Sequence, residues 1–272
     1  MSGIVIINGG GRLGNQIFQY AFLKTLFPSP QKIISIRMKD ILKLFEIEDD
    51  VINIEGLNAY RIARVLLKTI SPFFPYYEQK FDKTHLPEIV YKKGIFKNPV
   101  IINFGYYQSE KFFSPKIKEK LKIKSEYLDK ANDILKPFND KELVFVHIRR
   151  GDYVNLGGSL PKSYYEKGIE YFQNKLNDPY FIFLSDDIKW VKENFKLNNA
   201  YYSNNDLYTD FTLMTLCEYG VMSNSTFSYW GGYLMQNRKE VISPKYWLGF
   251  KEKRYSPIGI KPSWAKEIEV DY

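Results

Sequence analysis

The chain has 272 residues, room for one large domain or two smaller ones, and its 44% hydrophobic and 26% charged content is that of a soluble globular protein. A single cysteine, Cys217, excludes an intrachain disulfide; with only two histidines it argues against a zinc site, and no apolar run is long enough to span a bilayer. The net charge of +8 fits an anionic ligand, a membrane surface or nucleic acid, but the positive charges are scattered and no nucleic-acid-binding motif accompanies them.

In chain order, Gly3 to Ile7 reads as a short apolar strand. The chain begins directly on it, without the basic and apolar regions of a signal peptide, so a cytoplasmic location is expected. Asn8-Gly9-Gly10-Gly11-Arg12-Leu13-Gly14-Asn15-Gln16 follows, and then Ile17 to Leu26 with apolar residues at helical spacing. Strand, glycine-rich turn and helix gather backbone N–H groups and a positive helix end at one point, which suits an anion or a sugar. Gly9, Gly11 and Gly14 also satisfy the spacing of a dinucleotide loop, but the next strand, Lys32 to Ile36, is followed by Arg37 rather than by an acid. Asn15 and Gln16 have amides able to bond a ligand, although Asn is also an ordinary helix cap.

Residues 41–98 carry little signal. Ala59 to Ile70 reads as an amphipathic helix ended by Pro72 and Pro75, and His85 falls in a polar surface stretch. Val100 to Phe104 is a strand with the polar and aromatic run Gly105 to Lys111 at its end. Lys116 to Lys124 has the spacing of a solvated helix face, and Ser125 to Leu135 reads as a helix. Pro137 to Lys141 reads as a linker, giving domains of 1–140 and 141–272.

Beyond the linker, strands and helices alternate regularly. Strands are expected at Leu143–Ile148, Tyr180–Leu184, Ala200–Tyr202, Val221–Met222 and Val241–Ile242. Helices are expected from Pro161 to Leu176, Ile188 to Phe195, Leu207 to Glu218, and from after Ser228 to Gln236, with Cys217 a buried structural thiol. This alternation implies a doubly wound parallel sheet, which binds ligands at the carboxyl ends of its strands. Three polar clusters fall there: His147 to Asp152, Ser185 to Asp187, and Ser223 to Ser228.

The densest of these is Leu143-Val144-Phe145-Val146-His147-Ile148-Arg149-Arg150-Gly151-Asp152-Tyr153, in which Gly151-Asp152 turns the chain away. Two adjacent guanidiniums repel, so an anion is expected beside them, and a diphosphate suits their fork of donors. Arg150 is expected to support the loop by pairing with Asp152. The hydroxyl-rich segment Ser223 to Ser228 can hold a phosphate, and Asp186 or Asp210 can accept hydrogen bonds from a base or ribose.

Gly10-Gly11-Arg12-Leu13-Gly14-Asn15-Gln16-Ile17-Phe18-Gln19-Tyr20-Ala21, the His147–Tyr153 segment and Ser223-Asn224-Ser225-Thr226-Phe227-Ser228-Tyr229-Trp230-Gly231-Gly232 together resemble the bacterial α-1,2-fucosyltransferases of glycosyltransferase family 11, and Gly105 to Lys111 resembles a fourth family segment. The resemblance implies an α/β, GT-B-like fold of two Rossmann-like domains, the N-terminal one facing the acceptor and the C-terminal one binding the nucleotide sugar. It implies GDP-β-L-fucose as donor, inversion to an α-linkage on the 2-hydroxyl of a galactoside, and no metal or other cofactor. It puts Arg149 at the β-phosphate, Asn15 near the glycosidic oxygen, His147 and Asp210 near guanine and Ser228 at the phosphate. The candidate catalytic residues are therefore Arg149, Asn15 and Asp152. The candidate donor-binding residues are Gly14, His147, Arg149, Arg150, Ser185, Asp186, Asp210, Ser225, Thr226 and Ser228. The expected acceptor is a galactose-terminated glycan of an O-antigen or capsule repeat; a lipid-linked acceptor would bring a peripheral contact at the inner membrane face. Two other functions fit parts of the sequence: a nicotinamide-dependent oxidoreductase using the Gly9/Gly11/Gly14 loop, and a non-catalytic sugar- or nucleotide-binding protein.

Overall fold

The computed structural model describes residues 3–271, the side chain of Ala59 aside. By contact the chain forms two units, dividing between Lys122 and Ile123, with Ile258–Ile260 belonging to the first. The expected linker at 137–141 thus lies inside the second unit, because the helix before it, Ser125–Leu135, packs on a helix of that unit, Leu207–Leu216.

The first unit runs β1 (Ile4–Asn8), α1 (Leu13–Leu26), β2 (Lys32–Ile36), α2 (Lys39–Leu44), β3 (Phe45–Glu46), β4 (Asp50–Ile54), α3 (Leu57–Ile70), β5 (Tyr76–Phe81), β6 (Pro87–Lys92), β7 (Val100–Ile102) and α4 (Ile117–Lys120). Its main sheet has the order β4-β2-β1-β7-β5-β6, parallel except for the β5–β6 hairpin. Asp82 shapes the hairpin turn by accepting the N–H groups of Thr84 and Leu86 at 2.8 and 2.9 Å, and His85 is exposed in that turn. Of the expected Lys116–Lys124 helix only the single turn α4 forms, and the chain then enters β8 (Lys122–Ile123) at the division.

The second unit continues α5 (Ser125–Leu135), β9 (Glu142–Ile148), α6 (Gly151–Asn155), α7 (Lys162–Lys175), β10 (Pro179–Ser185), α8 (Ile188–Asn194), β11 (Ala200–Tyr202), α9 (Leu207–Leu216), β12 (Tyr219–Val221), α10 (Thr226–Tyr233), β13 (Glu240–Pro244) and β14 (Lys266–Ile268). Its sheet, β11-β10-β9-β12-β13-β14, is parallel throughout. The central strand β9 is an unbroken apolar run because helices cover both faces of the sheet, and Val144, Phe145 and Val146 are fully buried. A Cβ at Gly220 would stand 2.1 Å from the Phe145 ring, so only glycine lets β12 pair beside it.

Three local expectations are corrected. Gly151-Asp152 does not simply turn the chain away but opens the short helix α6. Helix α10 starts at Thr226, taking Thr226, Phe227 and Ser228 into its first turn. A further strand, β14, extends the sheet past β13. Among the described residues no helix is long and apolar enough to cross a membrane.

Candidate active site

In the second unit the strand order runs outward from β9 in one direction and from β12 in the other, so the connections reverse between these two strands. Helices following such strands go to opposite faces and leave a crevice beyond the carboxyl ends. A hydrogen bond spans that place: His147 Nδ1, near the end of β9, lies 2.8 Å from Ser223 Oγ, just past β12. Ser223 Oγ is 3.3 Å from Ser228 Oγ, whose hydroxyl lies 3.0 Å from the carbonyl oxygens of both Ser223 and Ser225. Burial first, and the neighbouring positive Arg149, lower the His147 pKa to about 3. The ring is therefore neutral at physiological pH and offers one donor and one acceptor. It packs on Phe227 at 5.1 Å, and Phe227 in turn on Phe211 at 5.4 Å.

Beyond β9 the arginines separate. Arg149 Nη1 is 2.7 Å from Asp186 Oδ2, and its Nη2 pairs with Asp152 one turn along α6. The other oxygen of Asp186 accepts the backbone N–H of Arg150 at 2.8 Å. Arg150 Nε is 3.1 Å from Asp187 Oδ2, and its guanidinium lies 3.8 Å over the Trp190 ring. Asp152 thus serves Arg149 and not Arg150 as expected, because the first turn of α6 brings residue 152 back under residue 149. The anion expected beside the arginines is supplied by the protein itself: two guanidiniums face three carboxylates, a formal balance of 2 − 3 = −1. Asp186 and Asp187 follow the end of β10, and Asp187 also caps α8 by accepting the Trp190 N–H at 3.3 Å.

The other predicted donor residues of this unit end or follow strands of the same sheet. Ser185 Oγ accepts the Asp187 N–H at 3.0 Å. Ser225 caps α10 by accepting the Phe227 N–H at 3.3 Å, and Thr226 is the first helical residue. The amides of that first turn lie at the carboxyl edge of the sheet, where a helix N-terminus favours negative charge. Ser228 is fully buried with its hydroxyl turned back onto backbone carbonyls, so it offers a phosphate its backbone more readily than its side chain. Asp210, in the first turn of α9, accepts the Ser203 hydroxyl. Burial raises its pKa to about 7, against that hydrogen bond and with help from Asp206. It is therefore half-ionised near neutrality. Asn224 was not singled out from the sequence. Its Nδ2 donates to the Gly158 carbonyl at 2.8 Å, while its buried Oδ1 has no partner among the described residues. Among the described residues no group of three or more His, Cys, Asp or Glu side chains is arranged to hold a metal ion.

The first unit has its own reversal of strand order, between β1 and β7. Gln19, fully buried, bridges the loops beyond these strands: Oε1 accepts the Gly10 N–H at 3.1 Å and Nε2 donates to the Gly105 carbonyl at 3.0 Å. Asn15 Oδ1 accepts Gln108 Nε2 at 2.8 Å, which orients the predicted catalytic amide. Gln16 is committed internally. Its Oε1 accepts the N–H groups of Asp40 and Ile41 at 2.9 and 3.1 Å, and its Nε2 donates to Asp40 and the Gly11 carbonyl. The glycines have local work: a Cβ on Gly9 would meet Met38 Cγ at 2.5 Å, Gly11 has φ +81°, and Gly14 is buried in the first turn of α1. Arg37, past β2, lies over the Tyr60 ring at 4.8 Å where a dinucleotide site would need an acid.

Residues 1–265 match the model of Glycosyl transferase family 11. The chain belongs to glycosyltransferase family 11. That membership removes the nicotinamide reading of the glycine loop. Within the family, this protein is 29% identical to the alpha-1,2-colitosyltransferase of Escherichia coli, covering 92% of this chain and 94% of that one. It is 26% identical to the Escherichia coli O-antigen biosynthesis glycosyltransferase WbnK, covering 89% and 94%. It is likewise 26% identical to galactoside alpha-(1,2)-fucosyltransferase 2 of Mus musculus, covering 86% and 69%. Among solved structures, POFUT1 in complex with GDP-fucose aligns with a TM-score of 0.56 at 15% identity, over 89% of this chain and 98% of that one. The fucosyltransferase NodZ from Bradyrhizobium aligns at 0.52 and 11%, over 89% and 94%. The family-11 chain thus has the GT-B-like fold expected of it.

Proposed function

We propose that the protein is an inverting, metal-independent galactoside α-1,2-fucosyltransferase that uses GDP-β-L-fucose. The observation that carries this reading is the Arg149 guanidinium, held at the carboxyl end of β9 by Asp186 and Asp152 in a unit that also has the N-terminus of α10 at the carboxyl edge of its sheet. In the reaction the bond between C1 of the sugar and the β-phosphate oxygen breaks, and GDP leaves with the electron pair. The acceptor oxygen bonds C1 from the opposite face and its proton is lost. Negative charge grows on the β-phosphate, so fixed donors aimed there stabilise the transition state more than the ground state.

The charge balance supports one mode of entry for the diphosphate. With three carboxylates already on two arginines, an incoming dianion must replace one of them. Asp152 is the replaceable one: its side chain is 47% exposed, against 26% for Asp186, which also holds the Arg150 backbone. The β-phosphate takes the place of Asp152 on Arg149 Nη2, while Asp186 keeps the guanidinium aimed. Asp210, once ionised, accepts the N–H edge of guanine; within the first unit, Asn15, its amide oriented by Gln108, is the candidate for the role the family resemblance gives it. Cationic side chains and helix amides carry the leaving-group charge, so turnover should persist in EDTA; loss of turnover that Mg²⁺ or Mn²⁺ restores would refute this.

A second donor is favoured by one comparison, the similarity to an alpha-1,2-colitosyltransferase. Colitose is L-fucose lacking the 3-hydroxyl. A site that hydrogen-bonds that hydroxyl rejects the deoxy sugar strongly, whereas an apolar one discriminates weakly. Turnover of GDP-fucose and GDP-colitose against a panel of galactosides tests both the donor and the acceptor, and turnover of neither would leave the binding-protein reading.

A further inference from the structure

Helix α3 is apolar on two opposite sides. Leu67 is buried in the first unit's core, with Tyr60, Ala63 and Ile70 packed around it. A helix covering a core ordinarily turns polar residues outward. Here Ile62, Val65 and Leu66 stand outward, 61%, 65% and 54% exposed. Phe73, in the tighter turn Ser71–Phe73 that follows the helix, is also exposed. The loop after β6 adds to it: the Phe96 N–H donates to the Phe73 carbonyl at 2.9 Å, and Ile95 and Phe96 are exposed beside it. Single exposed apolar residues are normal, but a stripe repeated on one helix face and continued by a second loop marks a contact surface.

Along the sequence, the charges interleaved with the stripe have one sign. Arg61, Arg64 and Lys68 lie on α3 beside it, Lys92 ends β6, and Lys93 and Lys97 lie in the loop. No Asp or Glu occurs from Gly56 to Tyr77 or from Ile89 to Ser109. Apolar side chains beside a purely basic margin complement a surface with an anionic outer layer and an apolar interior. We infer that this face of the first unit docks on an anionic phospholipid bilayer, with Ile62, Val65, Leu66 and Phe73 entering the acyl boundary and the arginines and lysines meeting the headgroups. The inference does not rest on the donor or acceptor of the reaction.

The test is co-sedimentation of the full chain with phosphatidylcholine vesicles and with vesicles of phosphatidylcholine and phosphatidylglycerol in equal parts. Binding is expected only to the anionic vesicles and should fall as salt rises. Each cation contributes about fivefold in partitioning, so Arg61→Gln, Arg64→Gln and Lys68→Gln together should lower it about a hundredfold. Leu66→Glu, and separately Phe96→Glu on the other loop, should abolish binding with the melting temperature unchanged, because both side chains are exposed. Absence of binding to anionic vesicles at low salt, or binding that survives these variants, overturns the inference. So does light scattering showing a dimer that Leu66→Glu converts to monomer, since the face would then belong to a second copy.

Discussion

Replacing Arg149 by Lys keeps the charge and removes the fork. In the structure the guanidinium spans two carboxylates at once, Nη1 to Asp186 at 2.7 Å and Nη2 to Asp152, with its side chain 13% exposed. An ammonium is a mobile point charge whose three donors rotate, so it does not hold Asp186 and a phosphate in the fixed planar geometry of the fork. The loss is that of one preorganised donor to a developing anion, about 2.7–4 kcal/mol, or roughly a hundred- to thousandfold in kcat. Because the interaction strengthens as charge develops, kcat should fall more than GDP affinity does. The assay is initial rates with GDP-fucose and an acceptor galactoside, alongside calorimetric titration with GDP and a melting curve to confirm folding. Asp186→Asn should reproduce part of the kcat loss by freeing the guanidinium, whereas Asp152→Asn should tighten GDP binding by removing a competing anion. Near-normal kcat for Arg149→Lys, or weaker GDP binding in Asp152→Asn, would refute this account of the cluster.

Gly151→Ala should fold yet lose activity by tenfold or more, since the new Cβ would lie 2.4 Å from Asp186 Oδ2 and drive that carboxylate off Arg149; the rates and melting curve measure this directly. GDP affinity should be constant above about pH 7 and weaken about tenfold per unit below it, because the raised pKa of Asp210 leaves it protonated there and only the carboxylate accepts two guanine N–H groups at once. Asp210→Asn should flatten that profile, and a profile unchanged by the substitution would move the guanine contact elsewhere. Gln19→Leu should lower the melting temperature by several degrees, as the Gly10 N–H and the Gly105 carbonyl each lose a buried partner at about 1–3 kcal/mol. Gln108→Ala should reduce kcat with little change in melting temperature, since it removes one hydrogen bond that orients Asn15 without opening the core.

The sequence alone carried the architecture where local pattern and packing agree. Strand β2 and helix α5 lie where their periodicity put them, and the apolar run of β9 announced a strand covered on both faces. The three polar clusters of the second half were legible as carboxyl-end loops because strand and helix alternate cleanly there. Residues 41–98 were not, since β4, β5 and β6 are half-buried strands without a fully apolar face, and their partners lie elsewhere in the chain. Tertiary structure decided the pairings that set the chemistry. Arg149 rather than Arg150 takes Asp152, since a one-turn helix follows where a simple turn was expected. Gln19 ties together the loops after β1 and β7, reaching a carbonyl 86 residues away in sequence. His147 is neutral because the fold buries it beside a cation. Periodicity reports which side of an element meets the core; it carries no record of which distant polar group waits there, and hydrogen bonds and pKa values depend on that group.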